Sequence, residues 1–160
     1  MNVKDQFANA ENELKKGRVK AAVDALKLIL QNQSDEPNSL RLLGLIALGQ
    51  KDYKASLEFL EQACRSAPNF LRARLDYGRA LFFSGELKGA FEVLTRICDQ
   101  QPSAESYQML GNVQAGLGRR DDAVASFKKS IELDPFRAQI SSGVKALGDK
   151  DSGGAERIFR

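Results

Sequence analysis

Apolar positions run through the chain at spacings of three and four, and each phase is broken by a short polar or glycine-containing stretch. Leu71, Leu75, Tyr77, Gly78, Leu81 and Phe82 form one such phase. Ser84-Gly85-Glu86 interrupts it, and Leu87, Ala90, Phe91, Leu94, Ile97 and Cys98 begin another. This spacing predicts two amphipathic helices, each burying its apolar stripe against a neighbour. Gly85 suits the left-handed stop of the first helix. Pro102 ends the second, and Ser103 is placed to cap the helix that follows.

The paired phases recur. LRLLGLIALGQKDYKASLEFLEQACRSAP ends at Pro68, LRARLDYGRALFFSGELKGAFEVLTRICDQQP at Pro102 and SYQMLGNVQAGLGRRDDAVASFKKSIELDP at Pro135. Gly44, Gly78 and Gly111 then share a column, 34 and 33 residues apart. Ser56, Ala90 and Ala123 fill a second column, and Leu60, Leu94 and Phe127 a third. Glycine inside a helix costs about 1 kcal/mol against alanine, so its recurrence there predicts close approach of two helices. The same steps run back to Ala10, Ala22, Leu26 and Ile29, with Gly17 at the inter-helix turn. Here the closing proline is displaced to Pro37, which predicts a longer connection through QNQSDE. Forward steps reach Gly143, Ala155 and Phe159. The chain therefore reads as all-α, one stacked array over 1–160, because no unit of this kind buries its apolar face alone. Its units span about 3–36, 37–70, 71–103 and 104–135, with a partial fifth at 136–160.

The fifth unit's pattern stops inside its second helix. DKDSGGAERIFR is either a frayed tail or the start of a helix that belongs to a longer protein, and the pattern favours the second. An uncapped end carrying Ile140, Val144, Ile158 and Phe159 would also suit packing against another copy.

Composition narrows the function. No apolar run approaches a membrane span and no signal-peptide pattern opens the chain, which points to a cytoplasmic protein without a membrane partner, or to a segment whose targeting sequence lies elsewhere. The net charge of +3 comes from 24 basic and 21 acidic residues mixed along the helices, so no basic stripe for nucleic acid emerges. Cys64 and Cys98 occupy one column, where a helix-packing distance of about 8–10 Å is too long for a disulfide. Small buried thiols of the core are the expectation for both. The chain has no histidine, which removes the commonest general base and metal ligand together. QAGLGRR and DSGGAER do not fit a phosphate-cradling loop, and Asp121-Asp122 and Asp149/Asp151 sit where helices start or turn. Neither a catalytic constellation nor a cofactor or metal site is expected.

The columns of glycine, alanine, leucine or aromatic, and closing proline resemble the tetratricopeptide repeat, a helix–turn–helix unit of about 34 residues. The fourth unit carries it in Tyr107, Leu110-Gly111, Gly118, Ala123, Phe127 and Pro135, and the third in Tyr77-Gly78, Gly85, Ala90, Leu94 and Pro102. The second unit departs with Lys51 at the turn and Ser56 in the alanine column. The first has Asn9-Ala10 for Leu-Gly and Ser34 where proline belongs. The resemblance implies a right-handed superhelix, an α-solenoid whose first helices line a concave groove, and a protein-interaction scaffold rather than an enzyme. Its groove columns fall on Lys4, Phe7, Glu11 and Leu14, then on Asn38, Arg41, Leu45 and Leu48. They continue through Arg72, Leu75, Arg79, Phe82 and Phe83 to Glu105, Gln108 and Asn112. Phe7 and Glu11 cannot supply the Lys/Asn clamp of chaperone-binding members. RLLGLIAL and ARLDYGRAL also resemble the N-terminal arrays of bacterial TPR–sulfotransferase proteins, which would make the chain an accessory region of a larger enzyme.

The expected ligand site comprises Arg41, Leu45, Arg72, Leu75, Arg79, Phe82, Phe83, Gln108 and Asn112. Arginine offers carboxylates a bidentate fork and stacks on aromatic rings, so the expected partner is a protein or peptide with an acidic group beside an apolar anchor. The alternative for the phenylalanines is packing between repeats. For the arginines it is pairing with Asp76 or Glu105.

Overall fold

A computed structural model describes residues 1–136, which form eight α-helices and no strand. They are α1 (Val3–Lys15), α2 (Val19–Asn32), α3 (Pro37–Gly49), α4 (Tyr53–Ser66), α5 (Leu71–Ser84), α6 (Leu87–Gln100), α7 (Ala104–Gly116) and α8 (Arg120–Leu133). Successive odd and even helices are joined by tight turns into four hairpins. The chain divides into two compact units, Met1–Ile97 and Cys98–Arg160. Most of the fifth repeat, with Ile140, Val144, Ile158 and Phe159, lies outside the described residues.

In the first unit α1 packs on α2 and α3 on α4, while α3 also touches α2 and α5. Ala10, Leu26, Ile29 and Leu43 form one buried cluster, with Phe7, Ile46 and Phe59 packed around it. Leu40, Ala63 and Ala73 form another beside Phe70 and Cys64. In the second unit α7 packs on α8. Buried serines tie that hairpin together: the Ser126 hydroxyl donates to Gln114 Oε1 at 2.6 Å and the Ser130 hydroxyl to the Ala104 carbonyl at 2.6 Å.

The glycine column does what its recurrence predicts. A Cβ on Gly44 would stand 2.6 Å from Leu60 Cγ, on Gly78 3.0 Å from Leu94 Cδ2, and on Gly111 2.5 Å from Phe127 Cε1. Two repeating columns are therefore one contact, made once in each of the last three hairpins. Beside it, Ser56 uses its departure from alanine to donate a buried hydrogen bond to the Gly44 carbonyl at 2.8 Å.

The turn column is equally regular. Gly17, Gly85 and Gly118 have φ of 75°, 87° and 77°, and the same column in the second hairpin holds Lys51 at φ 60°. All four turns close with the same backbone bond, for example Asp52 N–H to the Ala47 carbonyl and Glu86 N–H to the Leu81 carbonyl, each 2.9 Å. A Cβ in the left-handed region costs about 1–2 kcal/mol, offset in part by the larger entropy that glycine loses on folding. Lys51→Gly is accordingly expected to stabilise the protein by about 0.5–1 kcal/mol. In a thermal melt this reads as a rise of about 1–4 °C.

Caps fix the helix starts. Ser103 accepts from the Ser106 N–H and the Ser106 hydroxyl accepts from the Ser103 N–H, each at 3.0 Å, a reciprocal capping box. Pro37 departs from the sequence expectation. It opens α3 at the first helical position, where a missing N–H costs nothing, and does not close α2. The connection is not lengthened: residues 33–36 join α2 to α3 and residues 67–70 join α4 to α5. Glu36 caps α3 through the N–H groups of Asn38 and Ser39 at 3.1 and 2.7 Å. Burial raises its carboxyl, but the bonds from Ser39 and Asn38 outweigh this and hold it below the ordinary glutamate range.

Both thiols are free, Cys98 buried and Cys64 half-buried. Burial pushes Cys64 up to about 11 against the weaker pull of Arg74, and burial also raises Cys98 against a hydrogen bond from Ser106. Both stay protonated at neutral pH, which suits inert core residues.

Candidate interaction site

Charge is unevenly placed on the first helices. In α3 and α5 together stand four arginines, Arg41, Arg72, Arg74 and Arg79, and a single acidic residue, Asp76. The α1 helix, by contrast, mixes Lys4 and Lys15 with Asp5, Glu11 and Glu13. On α5 the order Arg72, Asp76, Arg79, Phe83 steps by four, three and four residues, so these side chains share one helical stripe.

Asp76 organises the arginines. It is 2% exposed, in a column where the neighbouring repeats place the apolar Leu42 and Met109. Arg41, reaching across from α3, donates through Nε to Asp76 Oδ2 at 2.6 Å, and Arg79 donates from the next turn of α5 to Oδ1 at 3.4 Å. The Arg41 guanidinium also stands over the Phe70 ring, 6.0 Å from its centroid. Side-chain exposures of 24% for Arg41 and 38% for Arg79 leave both reachable from solvent.

Phe83 is 55% exposed, edge-on to half-buried Phe82 with ring centroids 5.3 Å apart and planes at 72°. Phe83 therefore holds a large aromatic side chain half in water, four residues from Arg79 on the same helical stripe.

The expected site residues separate into distinct environments. Asp76 brings Arg41 and Arg79 together, Arg72 lies exposed on their stripe, and Leu45 is half-buried on α3. Leu75 corrects the expectation: at 3% exposure it belongs to the core and offers a ligand nothing. Its column holds Arg41 one repeat earlier, and an apolar side chain there is drawn inward where a guanidinium is kept at the surface. Gln108, half-buried, and Asn112, exposed, stand on α7 in the second unit. Sequence reasoning missed Phe70 as a partner of Arg41, and it named Asp76 without its role as a hub. The signal for Asp76 was a carboxylate in an otherwise apolar column. Among the described residues no group of three His, Cys, Asp or Glu could hold a metal ion, and no helix is long and apolar enough to cross a membrane.

Models of the tetratricopeptide repeat match residues 7–70, 47–115 and 104–137, which together reach from α1 to the end of α8. The chain belongs to the tetratricopeptide repeat family. Among solved structures, a crystal structure of MamA is similar at 23% identity and a TM-score of 0.76, covering 86% of this chain and 81% of that one. MamA from Desulfovibrio magneticus RS-1 is similar at 22% identity and a TM-score of 0.74, covering 82% and 75%. These likenesses establish the tetratricopeptide α-solenoid as the fold. No curated protein gives a significant match.

Proposed function

We propose that the chain is a protein-interaction module, one array over 1–160, whose first helices around Arg41, Arg72, Arg79 and Phe83 take an extended or helical segment of a partner protein. The segment carries an acidic group beside an apolar side chain. The observation behind this reading is the concentration of arginine on α3 and α5 next to an exposed phenylalanine. Charged groups at an interface rim steer and select, while a desolvated aromatic anchor supplies affinity. The tetratricopeptide fold serves as a scaffold for such contacts, so this reading asks of the chain only what its fold is built for.

The test is selection of binding peptides from a random phage-displayed library, followed by titration of the selected peptides. Selected sequences are expected to be enriched in Asp or Glu within a few residues of an apolar side chain. Arg72→Gln with Arg79→Gln is expected to weaken them by roughly 10–100-fold with the far-UV circular dichroism retained. Unchanged affinity in that variant sinks the proposal.

A further inference from the structure

We infer that the α7–α8 hairpin is a latched element, which opens as one body while α3–α4 stays folded and is held shut by a buried hydrogen bond between Ser126 and Gln114. Opening withdraws Gln108 and Asn112 from the first-helix face. It leaves Arg41, Arg79 and Phe83 in place, because these belong to the other compact unit. The opening itself does not depend on the proposed function.

The repeating columns are filled differently in α7–α8 than before it. Ser126 stands where the earlier second helices place Ala25, Phe59 and Val93, and Ser130 where they place Ile29, Ala63 and Ile97. Gln114 stands where α3 and α5 place Ala47 and Leu81. All three polar side chains are buried. The Ser126 hydroxyl donates to Gln114 Oε1 and the Ser130 hydroxyl to the Ala104 carbonyl, each at 2.6 Å. The leucine column changes as well: Leu26, Leu60 and Leu94 are fully buried, whereas Phe127 is half-buried. Each earlier hairpin contributes two fully buried branched aliphatic side chains, Leu26 with Ile29, Leu40 with Leu60, and Leu94 with Ile97. Among the described residues α7–α8 contributes one, Val113.

The two kinds of contact respond differently to opening. An aliphatic side chain gains nothing from water, so the whole benefit of its burial is lost when the hairpin opens. A hydroxyl or an amide exchanges its internal partner for water and loses only a small net difference. A hairpin closed by serine and glutamine therefore opens more readily than one closed by leucine and isoleucine. In a stack of repeats, stability is a sum of local terms, and the hairpin with the smallest term opens first. The same pair makes the closed state sensitive to either partner. With Ser126 truncated, the Gln114 amide stays buried without its bond, which destabilises the closed state and leaves the open one untouched.

The test is native-state hydrogen exchange of the full 160-residue chain, followed by NMR at neutral pH in urea below the unfolding transition. Amides of residues 110–114 in α7 and 126–130 in α8 are expected to share one urea dependence. They should exchange about tenfold or more faster than residues 43–47 and 59–63 of α3 and α4, and faster than residues 25–29 of α2. Exchange equal to or slower than that of α3–α4 overturns the inference. Gln114→Leu with Ser126→Val gives α7–α8 the residues that Leu81 and Val93 supply in the same columns. It should slow the α7–α8 amides about tenfold or more and leave those of α3–α4 unchanged. Ser126→Ala should speed the α7–α8 amides about tenfold, again without effect on α3–α4. An unchanged α7–α8 rate in either variant, or an equal change in α3–α4, overturns the latch. If the double variant does not fold, Ser126→Ala decides alone. Binding at Arg41 and Arg79 plays no part in these readings, so their failure leaves the proposed function standing.

Discussion

Leu60→Ala is expected to destabilise the protein by about 3–4 kcal/mol, Gly44→Ala by about 1 kcal/mol, and the two together by less than their sum. Leu60 is fully buried, and its Cγ lies where a Cβ on Gly44 would stand 2.6 Å away. Truncating Leu60 leaves a cavity against the bare backbone of Gly44. Adding a methyl to Gly44 with Leu60 in place forces the two helices apart, an overpacking cost of about 1–3 kcal/mol. Alanine's better helix propensity offsets about 1 kcal/mol of that cost. In the double variant the new methyl enters the new cavity. The coupling should recover about 1–2 kcal/mol, read by urea denaturation of the four proteins in the cycle. Strict additivity would show that the two columns are not one contact. Gly49→Ala is the control: it lies in the same helix with nothing within 4 Å of a Cβ, and it should gain up to about 1 kcal/mol.

The three copies of this contact differ in how easily they yield. At Gly44 the obstruction is a fully buried leucine together with the Ser56 carbonyl at 3.3 Å, so neither neighbour can give way cheaply. At Gly111 the Phe127 ring is closer, at 2.5 Å, but it is only half-buried and can swing outward. In the first hairpin the column already holds Ala10, fully buried in a cluster with Leu26. That hairpin has thus accepted the larger residue in this column.

Much of this architecture was legible in the sequence because it is local and repeated. The Gly44, Gly78 and Gly111 column predicted close helix approach, and Gly85 and Ser103 announced a turn and a cap. Each of these signals acts within a few residues of itself. Pro37 misled because proline is equally at home just after one helix and at the first position of the next, and spacing alone does not choose between them. The arginine face was half legible. Its cations could be counted, but which of them meet Asp76 depends on two helices whose partners stand 35 residues apart. Leu75 shows the same limit: its column predicts a groove position, while its side chain obeys burial.

Arg41→Leu is expected to cost about 2–4 kcal/mol, whereas the pair Arg41→Leu and Asp76→Leu should remain within about 1 kcal/mol of wild type. The asymmetry follows from burial. Removing Arg41 leaves Asp76, 2% exposed, with only the long 3.4 Å contact to half-exposed Arg79, so a nearly unpaired carboxylate stays in the interior. Removing Asp76 alone costs less, about 1 kcal/mol, because Arg41 and Arg79 can carry their charges into water on flexible side chains. Removing both charges replaces the ion pair with leucines, as Leu42 already does in the Asp76 column and Leu75 in the Arg41 column. Urea denaturation of the two single variants and the double gives the comparison, and a double variant as unstable as Arg41→Leu would refute it. The double variant also separates stability from recognition. On the proposed function it should keep the fold while losing the acidic ligands selected on the wild type, because the Arg41 cation is gone.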